Sequence, residues 1–183
     1  MDIGASSYRR YRNGEKEAFD EIIKEYFDKL VFFVDRIVKD TAAAEDIAID
    51  AFSDLIVNPR RYDGRVSFKT YLFMLGRSRA LNYLKRRNRF RFVPLTEAET
   101  AQTEPQETVF IADEQKRTVN DAIKALPNEM QTVIHLVYFE DLSCEEAAKI
   151  MKKTRKQVYN LLYRGKNALR TILEERGRTF ENL

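Results

Sequence analysis

Cysteine and histidine occur once each in the 183 residues, at Cys144 and His135, so an internal disulfide is excluded and soft ligands are too few for a structural zinc site. No metal or cofactor is expected. Six glycines and four prolines argue against a fibrous or loop-built chain, and no phosphate-cradling Gly-rich loop is present. No apolar run approaches the roughly 18 residues that suggest a membrane span. The first residues, Met1-Asp2-Ile3-Gly4, lack a basic stretch followed by an apolar core, so a cytoplasmic location is expected.

What is present is a globular composition, 44% hydrophobic and 33% charged. The net charge of +3 conceals three unlike segments. Residues 1–92 carry 19 Lys/Arg against 14 Asp/Glu, residues 93–115 carry none against 6, and residues 116–183 carry 13 against 9. Two basic blocks flanking an acidic strip point to two separate contacts with a polyanion.

Apolar residues recur with a period near 3.6 from Ala18 to Val38, which predicts a long amphipathic helix. A second helix is predicted from about Ala42 to Val57, capped by Asp40 or Thr41 and stopped near Asn58-Pro59. A third runs from Ser67, a suitable N-cap, to about Arg89, where it ends in a basic run. Periodicity then vanishes between Val93 and Ile111, a polar, acidic, Pro-containing stretch that reads as a linker. Helical signals resume near Asp113, pause at Leu126-Pro127-Asn128 and Asp141-Leu142-Ser143, and continue to about Arg176. No convincing period-two alternation appears. The expected architecture is all-α: a domain over 1–92, a flexible acidic linker over 93–112 and a second domain over 113–183.

A helix-turn-helix is expected between Leu142 and Leu169. Ser143 and Glu146 have capping-box spacing, Ala147, Ala148 and Met151 give a first helix its apolar face, and Val158, Leu161 and Leu162 give the second. The small Ala147-Ala148 pair permits close approach. The opposite face of the second helix then presents Arg155, Lys156, Gln157, Tyr159, Asn160 and Tyr163, donors and planar groups suited to base edges and phosphates. No acidic residue occurs from Lys149 to Arg170. A plain helical hairpin would mix charge signs on its solvated face, which favours the DNA-binding reading. Lys152 stands in the inter-helix turn, where Gly is usual.

Ala125-Leu126-Pro127, Val137-Tyr138-Phe139-Glu140-Asp141-Leu142-Ser143, Glu145-Glu146-Ala147-Ala148 and Gln157-Val158 through Arg164 resemble the C-terminal domain of extracytoplasmic-function sigma factors of the sigma-70 family. Ala44-Glu45-Asp46-Ile47 with Asp50-Ala51-Phe52 resembles that family's clamp-binding helix, and Ser67-Phe68-Lys69-Thr70-Tyr71-Leu72 through Leu84-Lys85-Arg86-Arg87 its promoter-opening helix. The resemblance spans nearly the whole chain in the family's order. It implies a non-enzymatic factor that binds core RNA polymerase and directs initiation on promoter DNA, double- and single-stranded, with an anti-sigma factor as a further candidate partner.

Residue by residue, the resemblance implies polymerase contacts at Glu45, Asp46 and Asp50. It implies downstream promoter contacts at Tyr71, Phe73, Arg77, Ser78, Arg79, Asn82, Lys85, Arg86 and Arg87, and upstream contacts at Thr154, Arg155, Lys156, Gln157, Tyr159, Asn160, Tyr163 and Arg164. The family often has Gln at Ile49, Trp at Tyr71 and Asn at Ser78. Tyr71 can still stack on a base, whereas Ser78 is too short to reproduce an Asn amide contact. Aromatics at Phe68, Tyr71, Phe73, Tyr83, Phe90 and Phe92, interleaved with Arg and Lys, suit single-stranded DNA, although Phe68 shares a face with Leu72 and Leu75 and reads as core. In the family the linker threads toward the RNA exit path, where Glu97, Glu99, Glu104 and Glu107 would occupy a basic channel.

Two other readings compete. A stand-alone regulator would bind a palindrome as a dimer without polymerase, but it needs neither the basic-aromatic helix nor the clamp-like one. An enzyme would need a catalytic constellation. His135 sits among Val133, Ile134, Leu136 and Val137 as a packed or partly exposed helix residue, and Cys144 reads as a small half-buried side chain beside a helix cap.

Overall fold

The structure, a computed structural model, describes residues 2–91 and 114–175, with the side chains of 90, 91 and 114–117 excepted. The described residues are helical throughout their regular elements, as the patterning predicts. The chain forms two compact units that divide between Pro105 and Gln106. The linker expected over 93–112 lies outside the described residues.

The first unit contains α1 (Ile3–Arg12), α2 (Glu17–Val38), α3 (Thr41–Val57) and α4 (Phe68–Arg91). Its core gathers around α2, on which α1, α3 and α4 all pack. Ile22, Leu30, Phe33 and Val34 of α2 are buried against the apolar faces of its neighbours, with the Phe33 ring 4.9 Å from that of Phe73 of α4 and tilted 40° to it. Burial of such side chains contributes about 1.5–3 kcal/mol each. Gly76 lets α4 approach α2 closely, because a Cβ there would lie 2.7 Å from Leu30 Cδ1.

The helix starts follow local cap chemistry. Asp40 accepts the N–H of Ala43 at 3.1 Å and starts α3, and Ser67 Oγ accepts that of Thr70 at 3.2 Å and starts α4. The helix α1 has no counterpart in the periodicity. Its buried face is Gly4, Ser7 and Tyr8, small or polar residues that leave no apolar stripe in the sequence. Tyr8 is nonetheless 1% exposed, donating its hydroxyl to the Leu55 carbonyl at 2.9 Å.

The second unit contains α5 (Glu114–Lys124), α6 (Asn128–Ile134), a π-helical turn at His135–Phe139, α7 (Cys144–Met151) and α8 (Arg155–Glu175). Gly165 brings α8 against α6, with Ile134 Cδ1 3.2 Å from where its Cβ would be. Of the two placements open to His135, packed or partly exposed, it takes the packed one, with a polar neighbour that the sequence did not disclose: Nε2 lies 3.4 Å from Oε1 of the buried Glu140. The wide π turn closes this loop, the Glu140 N–H reaching the His135 carbonyl at 3.1 Å.

Candidate nucleic-acid interface

Each helix of the α7–α8 pair starts in a capping box. Ser143 Oγ accepts the Glu146 N–H at 3.2 Å, and Glu146 Oε2 accepts the Ser143 N–H at 3.0 Å. α7 ends at Met151 and is capped by Lys152, whose φ of 53° and ψ of 46° place it in the left-handed region, and the Lys153 N–H closes back on the Ala148 carbonyl at 3.0 Å. Then Thr154 Oγ1 accepts the Gln157 N–H at 3.2 Å while Gln157 Oε1 accepts the Thr154 N–H at 2.8 Å. Thr154 and Gln157, expected as DNA contacts, therefore also serve as the start of α8. The T-x-x-Q spacing is the signal that could have shown this.

Val158, Leu162, Leu169 and Leu173 bury the inner face of α8. Its outer face carries Arg155, Lys156, Gln157, Tyr159, Asn160, Tyr163 and Arg164, all exposed, with Tyr159 at 53% and Tyr163 at 69%. The Arg155 guanidinium lies 5.9 Å from the Tyr159 ring centroid. Among the described residues, Arg155, Lys156 and Arg164 form no ion pair. Two lysines flanking this surface do: Lys149 pairs with Glu145 at 3.7 Å and Lys153 with Glu129 at 2.8 Å. The unneutralised charge is thus concentrated on α8, a rigid, cationic, hydrogen-bonding ridge of a kind that fits the major groove.

In the N-terminal unit, α3 turns Glu45, Asp46 and Asp50 to the surface, and Ile49 stands among them at 52% exposure. On α4 the expected set separates. A helix advances about 100° per residue, so Tyr71, Ser78, Asn82, Lys85 and Arg89 share one stripe while Phe73 points about 200° from Tyr71. Phe73 is accordingly 0% exposed, packed on Phe33, and is a core residue rather than a DNA contact. Phe68 is core as expected.

Tyr71 is half-buried, its ring 5.3 Å from that of Tyr62, and burial with the nearby Asp54 carboxylate raises its phenol pKa. Ser78, Asn82, Lys85 and Arg86 are exposed. Arg77, Arg79 and Arg87 are partly covered, with Arg87 5.7 Å from the Tyr83 ring centroid and Arg79 ion-paired to Asp54 at 3.4 Å. The side chain of Phe90, and the whole of Phe92, lie outside the described residues.

Among the described residues no group of histidine, cysteine and acidic side chains could hold a metal ion. No helix among them is long and apolar enough to cross a membrane. Residues 22–90 match the family model for sigma-70 region 2, and residues 116–169 that for sigma-70 region 4. The RNA polymerase sigma-H factor of Pseudomonas aeruginosa is 29% identical over 175 residues, 90% of this chain and 91% of that protein. The ECF RNA polymerase sigma factor SigW of Bacillus subtilis is 27% identical over 181 residues, 91% and 95% of the two chains.

Among solved structures, the sigma factor RpoE in complex with the anti-sigma factor NepR from Bartonella quintana has the same fold, at a TM-score of 0.64 and 18% identity over 85% of this chain and 96% of that one. CnrH in complex with the cytosolic domain of CnrY gives 0.62 and 18% over 94% and 96%. The two family models fall on the two units described, the second running from α5 into α8 and so including the capped α7–α8 pair, and relatives matched over nine-tenths of the chain carry the same description: the chain belongs to the extracytoplasmic-function sigma factors of the sigma-70 family.

Proposed function

We propose that this sigma factor, a non-enzymatic protein that binds core RNA polymerase and directs promoter recognition and transcription initiation, divides its contacts among three surfaces. The α8 face from Thr154 to Arg164 reads the upstream promoter element in the major groove, Arg155, Lys156 and Arg164 holding phosphates while Gln157, Tyr159, Asn160 and Tyr163 face base edges. The α4 stripe of Tyr71, Ser78, Asn82, Lys85 and Arg86, with Arg77, Arg79 and Arg87 on its flanks, holds downstream DNA as the strands separate. On α3, Glu45, Asp46 and Asp50 meet a basic surface of the polymerase clamp. The functional division follows residues 1–92 and 113–183, joined by an acidic tether over 93–112.

The burial of Phe73 alters the energetics of strand opening. Stacking contributes about 1–3 kcal/mol per base, against a few kcal/mol to unstack a step. With Phe68 and Phe73 committed to the core, Tyr71 and Tyr83 supply the described aromatic surface of α4. Cationic contacts along the stripe then take a larger share, which makes opening more sensitive to salt. The protein would work in the cytoplasm, where polymerase is found, and an anti-sigma factor is a candidate regulator, consistent with the solved RpoE structure, which holds the anti-sigma factor NepR.

One observation carries this reading: a capped α8 whose exposed face carries Arg155, Lys156 and Arg164 with no ion pair among the described residues. Run-off transcription with bacterial core polymerase tests it, preceded by a pull-down. The chain should bind core and give promoter-specific transcripts, and the double variant Arg155→Ala/Arg164→Ala should flatten the dependence of promoter binding on log salt by about 2. A chain that binds operator DNA tightly by itself and ignores core would defeat it.

A further inference from the structure

The second unit encloses an ionisable pair. His135 is 1% exposed and Glu140 5%, Nε2 of the first lies 3.4 Å from Oε1 of the second, and neither imidazole nitrogen reaches solvent. Among the described residues, the other buried side chains of α6, the π turn and α7 are apolar except Gln131, whose amide donates to the Lys124 and Leu126 carbonyls. The remaining ionisable groups on these elements all reach solvent: Glu129 on α6, Tyr138 and Asp141 in and after the turn, and Cys144, Glu145, Glu146 and Lys149 on α7. Glu129 pairs with Lys153, Glu145 with Lys149, and Glu146 with the Ser143 cap, while Lys166 of α8 lies over the Tyr138 ring. Glu140 is therefore the carboxylate shut in with the imidazole.

A closed apolar site favours the protonation state that carries no net charge. For this pair that is the state with one proton between them, as imidazolium and carboxylate or as imidazole and carboxylic acid. Losing that proton leaves a net negative charge away from water, and gaining a second leaves a net positive one. A solvated imidazole loses its proton at about pH 6.5 and a solvated glutamate gains one at about 4.3, so the loss is the step nearer neutrality.

The pair also stands at the two ends of a turn. The Glu140 N–H meets the His135 carbonyl at 3.1 Å and the Leu142 N–H meets the Leu136 carbonyl at 3.0 Å, immediately before the Ser143 cap from which α7 starts. A stranded charge regains water by opening this turn, which is the entry into α7 and α8.

We propose that His135 and Glu140 form a proton-held latch on the DNA-reading helix pair: one shared proton keeps the turn closed, and alkalinisation that strips it opens the turn and weakens upstream DNA binding. The proposal rests on the reading of α8 given above. The folded pair holds its proton beyond the pH at which the unfolded imidazole releases it. Over that interval the unfolded state binds fewer protons, so the stability of the unit falls as pH rises.

His135 is the only histidine in the chain, so its imidazole resonances in the full-length protein need no assignment. An NMR titration should show the pair keeping its proton well past about pH 6.5, the solvated value. Release at that value would overturn the latch even if every variant failed to fold. Anisotropy of a labelled mixed-sequence DNA duplex at low salt then reads the consequence. Across the interval of release the parent should lose roughly three- to tenfold in affinity, a coupling of ordinary size. Glu140→Gln, which leaves no buried charge when the imidazole is neutral, should lose much less. An equal loss in both proteins, or none in the parent, would also defeat the proposal. The reading of α8 is judged separately: if Arg155→Ala/Arg164→Ala binds the duplex at neutral pH as the parent does, that reading fails, whatever the imidazole titration shows.

Discussion

Asp2 and Phe68, 66 residues apart, are joined by a single hydrogen bond in which Asp2 Oδ2 accepts the Phe68 backbone N–H at 2.7 Å. The other oxygen, Oδ1, accepts the N–H of Ala5 at 3.0 Å. One carboxylate therefore caps α1 and also satisfies a first-turn donor of α4, beside the cap that Ser67 already provides. Replacing Asp2 by Ala removes both bonds and should cost about 1–3 kcal/mol, whereas Asn, another good cap, should retain much of it. Thermal denaturation followed by circular dichroism measures this. An Asp2→Ala protein that melts with the parent would show that the bond contributes nothing.

Phe73 and Tyr71 should part company on mutation. Phe73→Ala opens a cavity beside Phe33 and should cost about 3–5 kcal/mol of stability. Tyr71→Ala, at a half-buried position, should cost less stability but slow promoter opening, read with a fluorescent base at the downstream element. Equal stability losses with normal opening by Tyr71→Ala would contradict the assignment of Tyr71 to DNA.

Spacing alone could not separate these two. Both are aromatic, both lie among basic residues, and the sequence reading placed both on DNA. The direction of an α4 side chain depends on where α2 lies, and the decisive neighbour, Phe33, is 40 residues away in sequence. Burial of Phe73 follows from that packing. The α8 face, by contrast, was legible because its apolar residues, its cap spacing and its acid-free stretch from Lys149 to Arg170 are all local.

Lys152 occupies a left-handed conformation that costs a side-chain-bearing residue about 1–2 kcal/mol and Gly nothing. Gly also loosens the unfolded chain by about 0.4–1 kcal/mol, so Lys152→Gly should stabilise the protein by a net of about 0.5–1 kcal/mol. The midpoint of urea denaturation reads this directly. Lys39, with φ 56° at the end of α2, should behave alike. Destabilisation by Lys152→Gly would indicate that the Lys side chain holds the turn by contacts that outweigh the backbone cost.

Alkaline pH should unfold the N-terminal unit through its buried phenols. Burial, with smaller contributions from neighbouring charges, pushes Tyr8 and Tyr62 up from 10.0 to about 12. In the unfolded chain these phenols ionise near 10, so between about pH 10 and 12 the unfolded state binds fewer protons and stability falls as pH rises. Their contribution is complete below pH 10 and is lost on passing through about 12. Tyr62→Phe should lessen the slope of melting temperature against pH in this window, and an unchanged slope would argue that Tyr62 ionises while folded.

The sequence by itself determined what depends on neighbours within a few turns: the helical class, the spans of α2, α3 and α4, the Ser67 and Ser143 caps, a cap for α3 at Asp40 or Thr41, and the acid-free face of α8. Apolar period and cap chemistry act within about four residues, so they can be read along the chain. Only the tertiary structure decided which partners meet across elements. It enlisted α1 through Gly4, Ser7 and Tyr8, withdrew Phe73 into the core, set Glu140 against His135, gave Asp2 a second helix to cap, and laid Arg79 between Asp50 and Asp54. Those relationships depend on how close helices approach one another, and that distance is fixed by packing at positions such as Gly76 and Gly165, far along the chain from the residues it brings together.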